Sequence, residues 1–252
     1  MMKSIFYIIS LFPKSLFVYF VDIYLFTKIY RLFKSYKITK TNLKIAYPEL
    51  NVNDINLLSK LSIRESIISG NETLYTWGRS HFESNSKIFR IKNNYLLKNL
   101  VNKRKGLIAV AIHNRSVDML LKWINSNVST VSLYKKIKIK SLDRFVKKDR
   151  ELGGSKSYET SISGVREILK ALQSKKVICF AADQVPQRGH GEYIKFYNRD
   201  AYSTTLVQSL AAKTKSPVLY FYLNSNKGSF LTLSLKQCNN DIYNDSKHKL
   251  LL

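Results

Sequence analysis

What most narrows the folds open to this chain is a set of short apolar runs separated by helix-like stretches. Residues 107–112 (LIAVAI), 128–133, 177–182 (VICFAA), 218–223 (VLYFYL) and 230–235 have strand length and strand composition. Between them, Val165, Ile168, Leu169 and Leu172 recur at the i, i+3, i+4, i+7 spacing of one helix face. Residues 204–214 also read as helix, ending before Pro217, which disfavours helical backbone in the residue ahead of it. A further helix is expected over residues 54–77, started by Asn53 or Asp54 as a cap. Strands that alternate with helices predict an α/β fold: a central mixed, largely parallel sheet flanked by helices. No internal repeat or long low-complexity linker interrupts the pattern.

Residues 4–33 differ from the rest. Twenty-one of these 30 positions are aliphatic or aromatic, but Lys14, Asp22 and Lys28 interrupt the run. No uncharged stretch therefore reaches the roughly 20 residues of a clean membrane span. A cleavable leader is not expected, because the apolar stretch is long and lacks a small-residue cleavage site. Pro13 is expected to kink or start a helix. A tilted span, an interfacial helix with its tyrosines at headgroup level, and a buried helical hairpin all remain open. The expected organisation is a membrane-anchoring or interfacial helix over residues 1–34, followed by one domain over 35–252.

Charge sharpens this reading. Lys and Arg number 42 against 17 Asp and Glu, a formal net charge of +25, yet 45% of residues are hydrophobic, which excludes a disordered polycation. Lys28, Arg31, Lys34, Lys37, Lys40 and Lys44 follow the apolar segment directly, the pattern of a cytoplasmic flank near anionic headgroups. No zinc finger or base-stacking motif accompanies the charge, so a membrane is the expected anionic partner and nucleic acid is not. The two cysteines, Cys179 and Cys238, lack metal-ligand spacing, and reduced thiols are expected. No phosphate-binding or dinucleotide loop is present, so no cofactor or metal is expected.

Chemistry concentrates in residues 106–121, GLIAVAIHNRSVDMLL. His113 follows the apolar run at the strand's carboxyl end, where α/β sheets collect reactive groups. Asp118 lies five residues on, near the start of a helix expected to begin around Asn114–Ser116. A carboxylate there is expected to fix the imidazole tautomer and let it take a proton from an alcohol. A histidine with a purely structural role fits the same five-residue spacing. His190, within RGHG, is expected in a flexible loop rather than a metal site, and His81 and His248 show no partners nearby.

Three segments resemble the lipid A biosynthesis acyltransferase family. The first is the His113-x4-Asp118 spacing itself. The second is Asn42-Leu43-Lys44-Ile45-Ala46-Tyr47-Pro48-Glu49, similar to the family's Asn-Leu-x-x-Ala-aromatic-Pro-Glu signature. The third runs from Val165-Arg166-Glu167-Ile168-Leu169 through VICFAA to Asp183-Gln184-x-Pro186, Gly191, Phe196, Ala201 and Thr204. The resemblance implies an enzyme on the cytoplasmic face of the inner membrane. It would move a fatty acyl chain from an acyl carrier protein thioester to a hydroxyl of a lipid A precursor, an anionic lipid acceptor, in lipopolysaccharide biosynthesis. His113 is then the general base and Asp118 its orienting carboxylate, while Arg115, Arg150, Asp183 and Gln184 contact substrate. Arg150 resembles the arginine that supports the acidic residue or the oxyanion; within the basic stretch 135–150 a solvent or lipid-phosphate contact is its plainer reading. The motif departs from the family's common His-Phe-Gly-Asn-Trp-Glu in its central residues and in carrying Asp, and the Trp-rich basic helix that usually closes the family is not expected here. A glycerophospholipid or other glycolipid acceptor, and an inactive membrane-bound paralogue, stand as alternative readings.

Overall fold

The structure is a computed structural model that describes residues 2–226 and 230–243. In chain order its elements are α1 (Met2–Ser10), α2 (Lys14–Phe26), α3 (Lys34–Ala46), α4 (Val52–Gly78), α5 (His81–Asn85), β1 (Ile88–Lys92), α6 (Tyr95–Asn102), β2 (Leu107–Ala111), α7 (Val117–Asn127), β3 (Thr130–Tyr134), α8 (Lys140–Arg150), β4 (Lys156–Glu159), α9 (Ile162–Gln173), β5 (Val177–Ala181), β6 (Gly191–Phe196), β7 (Arg199–Thr204), α10 (Leu206–Thr214), β8 (Val218–Asn226) and β9 (Phe230–Gln237). His248 lies outside the described residues.

Seven strands form one sheet in the order β1-β9-β8-β2-β5-β3-β4, and every neighbouring pair is parallel except β8 with β9. The expected α/β architecture with a mixed, largely parallel sheet is therefore present. The central strand β2 is buried on both faces, which is why its sequence is continuously apolar rather than alternating. Leu107, Ala109 and Ala111 face α6 and α7, packing with Leu97, Leu100, Leu120 and Ile124. Ile108 and Val110 face α9 and α10, packing with Ile168, Leu172, Leu210 and Ala211. Gly164, in the first turn of α9, sits where a Cβ would come within 2.1 Å of the Glu159 carbonyl oxygen, so the helix start presses directly on the end of β4.

All five expected strands form, with small shifts at their ends. The run at 128–133 starts late, because Val128 still closes α7 through its N–H to the Ile124 carbonyl. Helix α4 starts earlier than expected: its cap is Asn51, not Asn53 or Asp54, because the Asn51 side chain accepts from both of those backbone N–H groups. Four strands were not anticipated: the polar edge strands β1 and β4, and the separate antiparallel hairpin β6–β7.

Helices α1 to α4 form an additional layer outside α7 and α8. Val21 and Leu25 of α2 cluster with Tyr30, with Tyr36 of α3 and with Ile63 of α4. That cluster crosses the boundary expected near residue 34. Pro13 separates α1 from α2, which bend by 80°. Among the described residues no single helix is long and apolar enough to cross a membrane, whereas α1 and α2 pass that test as a bent pair.

Candidate active site

Strands β2 and β5 run parallel in register, Ala111 beside Ala181. Each chain then continues two residues past that pair, to His113 and to Asp183, so both leave the sheet at the same edge. The contact follows directly. The His113 backbone N–H donates to Asp183 Oδ2 at 2.6 Å, and His113 Nδ1 lies 2.6 Å from Asp183 Oδ1. A carboxylate at that distance keeps the proton on Nδ1 and leaves Nε2 as the basic nitrogen. The Gln184 side-chain amide sits 3.3 Å from Nε2. Partial burial of Asp183 favours its neutral form, but the side-chain and backbone hydrogen bonds from His113 outweigh that and hold its carboxyl below the usual value.

Asp118 has a different partner. Ser116 caps α7 by accepting from the Met119 N–H, so Asp118 falls in the first turn. Its Oδ1 receives Arg150 Nε at 2.8 Å and Arg150 Nη2 at 2.7 Å. The expected orientation of His113 by Asp118 is thus not what the side chains do: Asp183 takes the imidazole, and Asp118 neutralises Arg150 at the end of α8. Of the two readings of Arg150, support of the acidic residue matches the geometry.

His113, Arg150 and Gln184 line a cavity of about 600 Å³. Its apolar lining comes from Val117, Leu121, Leu133, Phe180, Val185 and Leu206. Its charged lining includes Lys135, Lys136, Arg150 and Glu159. Arg115, expected at the substrate, is not among the lining residues. It is 6% exposed and turns toward α4, where its guanidinium pairs with Glu65 and with Glu72 Oε1 at 2.7 Å. Asn114 ties the same loop to β8 through Asn224 Oδ1 at 3.0 Å.

Cys179, on β5, is fully buried, and burial pushes its thiol up to about 12, so it stays protonated and offers no thiolate nucleophile. His81 is turned to Ser126 and remains outside the cavity. No group of His, Cys, Asp and Glu with metal-binding arrangement occurs among the described residues.

The sequence reading did not pair Asp183 with His113. The available signal was positional: VICFAA and LIAVAI, aligned as neighbouring parallel strands, set the aspartate and the histidine at equal offsets.

Comparison with known proteins adds one finding. The family model for bacterial lipid A biosynthesis acyltransferases matches residues 2–240. Among curated proteins, no sequence matches the chain.

Proposed function

The chain belongs to the bacterial lipid A biosynthesis acyltransferase family, and from that premise we propose that it esterifies a hydroxyl of a lipid A precursor, with His113 as general base and Asp183 as its orienting carboxylate. The protein is an acyltransferase of lipopolysaccharide biosynthesis. The observation that carries the mechanism is the His113–Asp183 pair, whose imidazole lines a cavity bordered by both apolar and cationic side chains.

In this reading the acceptor O–H gives its proton to His113 Nε2 while its oxygen attacks the thioester carbonyl. Asp183 stabilises the imidazolium that forms. The tetrahedral oxyanion develops near the amino end of α7, whose free backbone N–H groups favour negative charge. Collapse breaks the C–S bond, and the leaving thiolate recovers the proton from His113. The ester and a free thiol result, with no acyl-enzyme. Val117, Leu121, Phe180 and Leu206 supply apolar lining suited to an acyl chain.

A carrier-protein thioester is the proposed donor. Lys140, Arg144, Lys147 and Lys148 share one face of α8, and Lys135 and Lys136 stand at the cavity, an approach suited to an acidic carrier. The proposed seat is the cytoplasmic face of the inner membrane, with α1 and α2 lying in the interface. The support is the exposed Ile8 of α1, Phe12 at the break between the helices, and Tyr19, Phe20 and Phe26 of α2.

His113→Ala is expected to lower kcat about 10³-fold, within the usual range for losing a general base, with folding intact. Asp183→Asn is expected to lower it nearly as far. Full activity in both variants would remove the mechanism. Lipid mass spectrometry of a strain lacking the gene is expected to show lipid A lighter by one acyl chain. A change confined to phospholipid would move the acceptor to a glycerophospholipid.

A further inference from the structure

Each residue from His113 to Ser116 is fastened to a different partner. His113 is held by Asp183 and Asn114 by Asn224, while Ser116 caps α7 and meets Thr73 of α4 at 3.0 Å. Arg115 is the charged member of this set, and its contacts extend farthest.

Its guanidinium bridges Glu65 and Glu72, two turns apart on α4. Each carboxylate has a second cation. Glu72 Oε1 receives Lys14 Nζ at 3.3 Å, and Glu65 Oε1 receives Arg64 Nη1 at 3.1 Å. Arg64 in turn holds Asp22 at 2.6 Å. Lys14 and Asp22 both belong to α2, so the chain of alternating charges leaves α2 at one point, passes through Arg115 and returns to α2 about two turns away. Three cations meet three anions in this circuit. Glu72 and Arg115 are 5% and 6% exposed, so each would carry a large desolvation cost if its partner left.

We infer that Arg115 is a positioning residue: through Glu65 and Glu72 it lets the N-terminal helices set the place of the loop that carries His113. The inference rests on the proposed role of His113, and it makes α2 a structural part of the active site rather than an anchor alone. Arg115 touches neither the cavity nor the imidazole. Its effect passes along two peptide bonds to the His113 backbone, whose N–H must stay on Asp183. A shift of about 1 Å in a catalytic group can cost about 10²-fold in rate, so a partly slackened loop is expected to show in kcat.

The test uses the full-length protein in detergent and compares three variants. Arg115→Gln breaks the circuit at its centre. The double variant Lys14→Gln/Asp22→Asn breaks it at its two half-exposed outer ends, and Arg115→Lys retains the charge. Two readouts are taken: kcat and KM, and the rate at which diethyl pyrocarbonate modifies His113 relative to His190 in the same molecules, read by mass spectrometry. Arg115→Gln is expected to lower kcat about tenfold at unchanged KM and to speed His113 modification several-fold. The double variant is expected to move both readouts in the same direction by about twofold to threefold, with Arg115→Lys lying nearer wild type. Wild-type kcat and wild-type modification rates in Arg115→Gln and the double variant would overturn the inference. So would a raised KM at constant kcat, which would return Arg115 to substrate binding. If Arg115→Gln does not fold, the double variant and Arg115→Lys decide by the same criteria. If the wild-type protein transfers no acyl group to any lipid, the functional proposal fails on its own, and the His113 modification rates still decide whether Arg115 positions the loop.

Discussion

In the sheet, β2 buries every side chain from Leu107 to Ala111, and His113 and Asp183 meet just past the ends of β2 and β5. In the N-terminal layer apolar side chains lie on both sides of α2, with Val21 and Leu25 packed inward. Helix α2 turns Leu16, Tyr19, Phe20, Ile23 and Phe26 outward, the last of them 84% exposed, while Lys14 and Asp22 reach α4. A helix on a water-facing surface would show the opposite arrangement. Large apolar side chains left on the outer face, with Lys14 and Asp22 paired to α4, suit an outer medium that is itself apolar, which is the physical basis of the proposed interfacial seat. The two regions meet at the loop 113–118, whose histidine belongs to the sheet edge and whose arginine belongs to the helical layer.

The contrast can be broken most directly with one aromatic residue from each region. Phe221 is fully buried on β8, packed near Trp123 with ring centroids 6.4 Å apart. Phe221→Ala is expected to destabilise the protein by about 3–5 kcal/mol, read from denaturant unfolding in detergent. Phe20, 53% exposed on α2, is expected to behave differently. Phe20→Ser should change unfolding stability by less than about 0.5 kcal/mol, the usual scale for a surface position. The same change should weaken binding to vesicles of anionic phospholipid about tenfold, as expected for losing one inserted aromatic side chain. Equal stability losses at the two sites, with vesicle binding unchanged, would mean that the outer face of α2 is packed in solution rather than seated on lipid.

How far the sequence reached follows the same division. Three of the five middle strands, β2, β5 and β8, announced themselves as unbroken apolar runs, and β3 and β9 as aliphatic residues alternating with Ser and Thr. The edge strands β1 (IFRIK) and β4 (KSYE) are largely solvated and carry charges, so hydropathy had nothing to report. The β6–β7 hairpin was hidden for another reason. Its turn puts Tyr197 and Asn198 at φ of 48° and 58°, and a tyrosine in that backbone region is not a usual turn signal. At the site, His113 was legible from its place at a strand end. Its partner was not, because nearness in sequence favoured Asp118, whereas strand register delivers Asp183 from seventy residues away. The role of Arg115 was beyond reach for a similar reason: Glu65 and Glu72 come from α4, and no local spacing links them to the loop.

A smaller effect tests the cap that the sequence reading misplaced. The Asn51 side chain accepts from the Asn53 and Asp54 N–H groups at 2.9 and 3.0 Å. Asn51→Ala is expected to cost about 1 kcal/mol of stability, with kcat unchanged. Asn53→Ala is expected to be close to neutral, since its side chain has no capping role in α4. The reverse order in thermal unfolding would return the start of the helix to residue 53.

The subtlest expected effect separates the two regions by pH. Asp183 and Asp22 both have carboxyls lowered below the ordinary value, but by different partners: the hydrogen bonds of His113 against burial for Asp183, and the hydrogen bond from the Arg64 guanidinium for Asp22. A group whose folded pKa lies below its unfolded one adds stability above the unfolded value. That contribution is lost as pH falls through the lowered one. Both sites therefore stabilise the fold above about pH 4, the ordinary aspartate range, and weaken below it. His113→Ala removes the side-chain hydrogen bond and leaves burial opposed only by backbone hydrogen bonds, so the Asp183 carboxyl rises from its lowered position. Acid destabilisation should then begin at higher pH in His113→Ala than in wild type, when melting temperatures are compared from pH 3 to 6. Arg64→Gln should show a shift in the same direction but smaller, because Asp22 is half-exposed and water replaces much of what the guanidinium supplied. Superimposed curves for wild type and His113→Ala would mean that the imidazole and the carboxylate are not coupled in solution, and the base of the proposed mechanism would have to be sought elsewhere along the cavity.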